Sequence, residues 1–437
     1  MKSIIINVYG KNRHLSLCLW IFIVCTQLCG QGPAPVIASN YAPNALAQQT
    51  KPYVVLVSLD GFRYDYAQRY GARNLQKLAT QGASAPEGMI PVYPSLTFPN
   101  HYSIVTGRYP EHHGIVAMSF YDPDRKQRYA YNDPGSDTDG TWYGGVPLWS
   151  LAERQGMRSA CFFWPGSEAE IAGQRPSYYM HFDDHFPDEA RIEQIIAWLR
   201  LPAEQRPHFI TLYYSNVDHA GHEFGPDSQQ TAAAVRHVDE LVGSLSEKLK
   251  SLNLSIDLLV VSDHGMENIQ GNWINLDEFT DLSGFHTEGM LLYPENDAVA
   301  QKAYEGLNGA SDKFSVYRRK DLPKSLHHDE NDRVGDPVVV SKGPYAIRAH
   351  ASNPADTLPK MKGGHGYDPE HMKNMRAIFY AMGPDIRPGS TVDPFENVNV
   401  FPLIVRILGL DGVPNDGDGK VLEGILQPHT KEPVRKK

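Results

Sequence analysis

Cysteine is scarce in the 437-residue chain, and its placement cannot staple a fold. Cys18, Cys25 and Cys29 lie in the first thirty residues, leaving only Cys161 beyond them. An internal disulfide after the leader is excluded, so stability must come from a large core and from bound metal. Also missing is any block of basic residues: 41 Lys+Arg against 51 Asp+Glu give a net charge of −10, so no stable nucleic-acid partner is expected. No repeat or low-complexity tract is present, and Asp411–Gly419 lacks the Asp-x-Asp-x-Asp-Gly frame of a calcium loop. A mean hydropathy of −0.41 excludes a polytopic membrane protein. What remains, 41% hydrophobic and 21% charged residues, is an ordinary globular composition. It carries 18 histidines, several of them beside Asp and Gly, which points to metal chemistry.

The first thirty residues differ from the rest. Lys2, Lys11 and Arg13 precede an apolar run from Leu15 to Val24, followed by small residues near Cys29. That run is shorter than the ~20 residues of a membrane span and reads as a secretory signal over residues 1–30. The expected location is secreted or periplasmic, with no membrane span after cleavage. Residues 31–50, rich in Pro and Ala, read as a linker, 51–425 as a single catalytic domain, and 426–437 as a tail.

Within the domain, short apolar runs at Tyr53–Leu59, Ala160–Phe163, Phe209–Tyr214, Leu258–Val261 and Ala377–Ala381 alternate with helical patterns at Glu189–Leu201 and Ser228–Leu252. This order predicts an α/β fold with a mainly parallel sheet and helices on both faces. Residues 266–361, weakly periodic with β-like stretches at Phe314–Tyr317 and Pro337–Val340, read as an inserted subregion. A last helix is expected at Val400–Leu408.

Chemistry in such sheets gathers beyond the carboxyl ends of the strands. Three strand ends lead into Asp60-Gly61, Asp218-His219-Ala220-Gly221-His222 and Asp263-His264. Mixed imidazole and carboxylate donors suit zinc better than magnesium or calcium. With His365, the six donors Asp60, Asp218, His222, Asp263, His264 and His365 exceed the needs of one tetrahedral ion, and two ions would form a phosphoryl-transfer site. Thr97 precedes Phe98-Pro99 at an expected helix start, where free backbone N–H groups favour an alkoxide and a phosphate. Each residue also has a plainer reading: Asp60 as a turn former, Asp218 and His222 as a solvated i, i+4 pair, Asp263-His264 as a helix cap. His101, His112, His113, His219 and His237 read as structural, His327-His328-Asp329 as an exposed loop, and Cys161 as inert packing.

Taken in order, DGFR, PSLTFPNHYSIVTGRYPEHHGI, NVDHAGHEFGP, VSDHGM and GGHGYDP resemble the nucleotide pyrophosphatase/phosphodiesterase family of the alkaline phosphatase superfamily, from about Tyr53 to Leu410. The resemblance implies an alkaline-phosphatase-like three-layer sandwich and a two-zinc phosphodiesterase acting on small nucleotide diesters or pyrophosphates. One zinc would be held by Asp60, Thr97, Asp263 and His264, the other by Asp218, His222 and His365. Thr97 would attack phosphorus in line, giving a phosphothreonine-type intermediate that water opens to a nucleoside monophosphate. Phe98, Trp164 and Phe182 match aromatic positions around the base, and Tyr213 matches a tyrosine near the phosphate. Met118 stands where the family usually has an asparagine that contacts a phosphate oxygen, and a thioether donates no hydrogen bond.

Other readings share the scaffold. A glycerophosphocholine or lysophospholipid phosphodiesterase would use aromatics with carboxylates, for which Glu168 and Asp184 are available. A phosphomonoesterase would need added positive groups, and no Lys/Arg pair stands in the matching stretch. Sulfatase chemistry is disfavoured, because Thr97-Phe98-Pro99-Asn100 is not a C/S-x-P-x-R frame. From another class, Met118 is the feature expected of a catalytically weakened relative that binds metal or ligand without turnover.

Overall fold

A computed structural model describes residues 36–351, 353 and 357–428. The leader assigned to residues 1–30, its three cysteines and most of the 426–437 tail lie outside the described residues.

The apolar runs form one sheet of nine strands: β1 (Ile37–Ala38), β2 (Tyr53–Leu59), β3 (Ala83–Ser84), β4 (Ser159–Phe162), β5 (Tyr178–Tyr179), β6 (Phe209–Tyr214), β7 (Ile256–Val261), β8 (Phe379–Met382) and β9 (Ser390–Thr391). Their spatial order is β1-β5-β4-β6-β2-β7-β8-β3-β9. Strands β5, β4, β6, β2 and β7 run parallel, while β8 lies antiparallel between β7 and β3. Every residue of β2, β6 and β7 is buried, as continuous runs of β-branched and aromatic residues require when both faces are covered.

The helices flanking the sheet are α1 (Arg73–Gln81), α2 (Thr97–Thr106), α3 (Leu148–Arg154), α4 (Asp188–Leu199), α5 (Asn216–Phe224), α6 (Gln229–Lys250) and α7 (Val400–Leu408). Val54 and Leu56 of β2 pack into one apolar cluster with Ile104 of α2, Leu148 of α3 and Phe401 of α7. Strand alternation sends Val55 and Val57 to the opposite face.

Residues 31–50 read as a linker, and its described part is tied to the sheet. Ile37–Ala38 pairs antiparallel with Tyr178–Tyr179, and the buried Asn44 donates to the carbonyls of Ala203 and Arg206 while accepting from Arg158 N–H. One polar side chain thus caps three backbone groups at the sheet's edge, which a composition count cannot reveal.

Within 266–361, Phe314–Tyr317 and Val338–Ser341 pair antiparallel, Phe285–Glu288 and Leu291–Pro294 form a hairpin, and a helix spans Asp297–Leu307. Leu276, Leu292, Leu307 and Phe314 give this subregion an apolar cluster of its own. His328, expected in an exposed loop, is instead buried. Its ring packs edge-on against Tyr93 at 5.4 Å.

Candidate active site

Three adjacent strands carry the site. β2 lies between β6 and β7, and Ser58 is in register with Tyr213 on one side and Val261 on the other. Asp60, the start of α5 and Ser262-Asp263-His264 therefore emerge at one sheet edge. Gly61 draws them together: its φ is +68°, and a Cβ there would lie 2.8 Å from the Asp218 Cα. Its N–H donates to Asp263 Oδ1 at 3.1 Å. Gly363 plays the same part on the far side, where a Cβ would lie 2.3 Å from the Gly221 carbonyl.

The three histidines are fixed in one tautomer by backbone carbonyls. Nδ1 of His222 donates to Gly363 O at 2.8 Å, that of His264 to Gly265 O at 2.9 Å, and that of His365 to Ser95 O at 2.9 Å. Each Nε2 is thus left facing inward. His222 Nε2 stands 3.4 Å from Asp218 Oδ1 and 3.0 Å from His365 Nε2, which is 3.6 Å from the same carboxylate. Beside this triad, His264 Nε2 lies 3.0 Å from Asp263 Oδ2, 3.6 Å from Asp60 Oδ1 and 3.2 Å from Thr97 Oγ1. Tetrahedral coordination with bonds of about 2.0–2.1 Å separates ligand atoms by about 3.3 Å, which matches both groups.

Three carboxylate oxygens in this cluster, Asp60 Oδ1, Asp218 Oδ1 and Asp263 Oδ2, are buried without a hydrogen-bond partner. Burial and the neighbouring charges of Asp263 and Asp218 push the Asp60 carboxyl well above its ordinary pKa. Burial opposes ionisation of Asp263 as well, but His264 and His101 hold its carboxyl below the usual range. Burial, reinforced by His264 and His222, drives the His365 pKa well below its ordinary value. Burial is outweighed at His264, whose pKa the Asp263 charge raises. Buried acceptors without a partner, gathered around inward-facing imidazole nitrogens, are the environment that divalent cations relieve. The donor set fits metal.

Alternative groupings of the same atoms exist, since His101 also approaches Asp60 and Asp263. His101 Nδ1, however, donates to Thr97 O at 2.9 Å, and its Nε2 meets Ser58 Oγ at 2.8 Å. With both nitrogens engaged, His101 braces the first turn of α2 against β2. The sequence reading left His101 as structural; its i, i+4 spacing from Thr97 was the available signal.

Thr97 opens α2, where no side chain caps the helix. The Phe98 N–H meets Met118 Sδ at 3.4 Å, so the thioether stands at the helix terminus beside Thr97. Phe98 in turn pairs with Tyr131 at 5.5 Å between ring centroids. Tyr131 is 42% exposed and escaped notice in the sequence; its N–H donates to Met118 O, closing the Ser119–Asp122/Gln127–Ala130 hairpin.

Of the remaining expected residues, Tyr213 donates its hydroxyl to Asp60 Oδ2 at 2.6 Å, and Phe182, 52% exposed, lies 6.1 Å from the Tyr213 ring. Trp164 is placed differently. Only 2% exposed, it donates from Nε1 to His101 O at 3.2 Å and packs beneath α2, offering no open ring face. Size and burial decide this, since an indole fully surrounded by protein contributes packing. Both carboxylates considered for a quaternary ammonium are engaged internally: Glu168 with His181 and the Phe182 N–H, Asp184 with Ser215 and His219.

Comparison with known proteins identifies relatives of the whole domain. A profile of the family described as "Type I phosphodiesterase / nucleotide pyrophosphatase" matches residues 54–368. Human ectonucleotide pyrophosphatase/phosphodiesterase family member 1 is 36% identical over 404 residues, covering 88% of this chain and 43% of that protein. Venom phosphodiesterase of Macrovipera lebetinus is 37% identical over 392 residues, covering 86% of this chain and 45% of that protein. The chain thus spans about half the length of these curated relatives. Among solved structures, murine ectonucleotide pyrophosphatase/phosphodiesterase 5, an inactive threonine-to-alanine form in complex with AMP, superposes with a TM-score of 0.80 at 28% identity, covering 86% of this chain and all of that one.

Proposed function

The chain belongs to the type I phosphodiesterase / nucleotide pyrophosphatase family and has its alkaline-phosphatase-like fold; from that premise we propose that it is an exported, zinc-dependent phosphodiesterase that hydrolyses nucleotide diesters or pyrophosphates to nucleoside monophosphates. The observation that carries this reading is the convergence of three inward-facing Nε2 atoms on three carboxylate oxygens without hydrogen-bond partners, with the Thr97 hydroxyl at their edge. Asp60, Thr97, Asp263 and His264 would hold one zinc, and Asp218, His222 and His365 a second. Such ions supply Lewis-acid stabilisation of phosphoryl oxygens and favour the ionised threonine.

The chain's own residues do the rest. Thr97 Oγ1 forms a bond to phosphorus while the bond to the leaving oxygen breaks, its hydroxyl proton passing to the leaving oxygen or to solvent, giving a threonine phosphodiester. A water oxygen then replaces Thr97, which regains its proton. The Phe98 N–H at the α2 terminus, which here meets Met118 Sδ, would stabilise charge on the phosphate only if it turned from the sulfur to the substrate. His101 keeps the first turn of α2 in place, and Tyr213 orients Asp60. Phe98, Tyr131 and Phe182 offer ring surface to a base. The name of the AMP-bound relative, an inactive threonine-to-alanine form, supports both a threonine nucleophile and a nucleotide ligand. Export is supported by the basic and apolar leader and by relatives named as ectoenzymes and venom enzymes. No described helix is long and apolar enough to cross a membrane.

The internal engagement of Glu168 and Asp184 favours nucleotide over phosphocholine esters. One observation favours a second reading, a weakened ligand-binding relative: the Met118 sulfur at the Phe98 amide. Turnover of the p-nitrophenyl esters of thymidine 5′-monophosphate, phosphate and phosphorylcholine separates these cases. EDTA-sensitive preference for the thymidine ester is expected. Preference for either other ester overturns the substrate assignment, and no turnover on any supports the weakened relative.

A further inference from the structure

Residues 180–187 link β5 to α4 without regular structure, yet three anchors fix them. At the start, Glu168 Oε1 accepts the Phe182 N–H at 2.8 Å and Oε2 meets His181 Nδ1 at 2.5 Å. In the middle, Asp184 Oδ1 accepts from Ser215 Oγ at 2.5 Å, and Ser215 immediately precedes α5, the helix carrying Asp218. At the end, the buried Arg191 donates to Phe186 O from Nη2 at 2.8 Å and to Tyr213 O from Nη1 at 2.9 Å. The exposed Phe182 ring is therefore held against Tyr213, whose hydroxyl is held by Asp60.

A surface loop needs no such restraint to fold, and a phenylalanine half open to water gains little from burial. Both oxygens of Glu168 are nevertheless directed at the two residues that set the ring's place. A pre-positioned ring reduces the ordering cost when a flat group docks on it. Resting on the nucleotide reading above, we propose that Glu168 is a positioning residue: it holds Phe182 as a platform for the planar base of the substrate and so governs recognition of base-bearing esters without acting in the chemical step.

The test is a double-mutant cycle on AMP binding, measured by calorimetry on the metal-loaded protein, with kinetics alongside. Glu168→Ala and Phe182→Ala are each expected to weaken AMP by about tenfold, the order of one base–aromatic stack, and the double variant to be no weaker than Phe182→Ala alone. Glu168→Gln, which still accepts the Phe182 N–H, restores binding to within about threefold of wild type, a neutral acceptor being somewhat weaker than a charged one. In turnover, Glu168→Ala raises KM for p-nitrophenyl thymidine 5′-monophosphate with kcat nearly unchanged. Methyl p-nitrophenyl phosphate, which has the same leaving group and no base, shows no matching loss. Additive losses in the double variant, equal losses on the two esters, or a wild-type protein that does not bind AMP would overturn the assignment. A wild-type protein that binds AMP but cleaves neither ester defeats the reaction reading instead, and the binding cycle then decides the role of Glu168.

Discussion

The Nε2 atoms of His222 and His365 face each other at 3.0 Å while the Nδ1 of each donates to a backbone carbonyl. Two lone pairs directed at each other repel unless a proton or a cation lies between them. Burial, with His264 and His222 beside it, disfavours protonating His365, and a divalent cation held between the two rings would relieve the repulsion.

Chelation is therefore expected to do more than stop turnover. Removing the cations leaves three buried carboxylates without relief, so the apo-protein should melt several degrees lower, and zinc should restore both Tm and activity. Elemental analysis of the active protein should find two zinc ions per chain. Unchanged melting after complete metal removal would mean the donor cluster is satisfied by protein alone.

Thr97→Ala should lower diester turnover by roughly 10³-fold or more, as expected when a nucleophile is removed. Zinc content should fall little, because six other side chains remain. Mass spectrometry of acid-quenched wild type during turnover should show a nucleotidyl adduct on Thr97 that the variant lacks. Retained activity in Thr97→Ala would take threonine out of the mechanism.

Met118→Asn places an amide donor where the thioether now meets the Phe98 N–H. One oxyanion donor is worth about 10²–10³ in rate, so a gain of up to about 10²-fold in kcat on the thymidine ester is expected. Steady-state kinetics decide it. No gain would show that another group already supplies the missing contact.

How much of this site could be read from sequence depended on the physics behind each residue. Continuous apolar runs ending in Asp-Gly or Asp-His announce buried parallel strands and what they deliver, so the bounds of β2 and β6 and the convergence of Asp60, Asp218 and Asp263 were legible. Burial of an individual aromatic was not: Trp164 and Phe182 look alike in a string, and only packing sends one beneath α2 and the other into solvent. Contacts across large separations were invisible too. The Asn44 clamp on the carbonyls of residues 203 and 206, and the Glu168 clamp on Phe182, rest on loop geometry with no periodic signature.

At the opposite end of β7 from Asp263 and His264, Asp257 makes a prediction about stability. Its Oδ1 accepts the Asp385 N–H at 3.0 Å, while Oδ2 is buried without a partner. Burial, and then the neighbouring Asp385 charge, push its pKa up to about 8. An unfolded Asp titrates near 4. Below about pH 4 both states hold the proton and the residue contributes no pH dependence. Between about pH 4 and pH 8 the unfolded chain releases a proton that the folded chain keeps, so stability falls as pH rises, and above about pH 8 the cost levels off. Asp257→Asn keeps the shape and removes the titration. Its Tm advantage over wild type should therefore be small at pH 5 and larger by ~2 °C or more at pH 8, read by calorimetry in matched buffers. A difference that stayed constant from pH 5 to pH 8 would mean that Asp257 is already ionised in the fold, its charge balanced by groups around the start of β7.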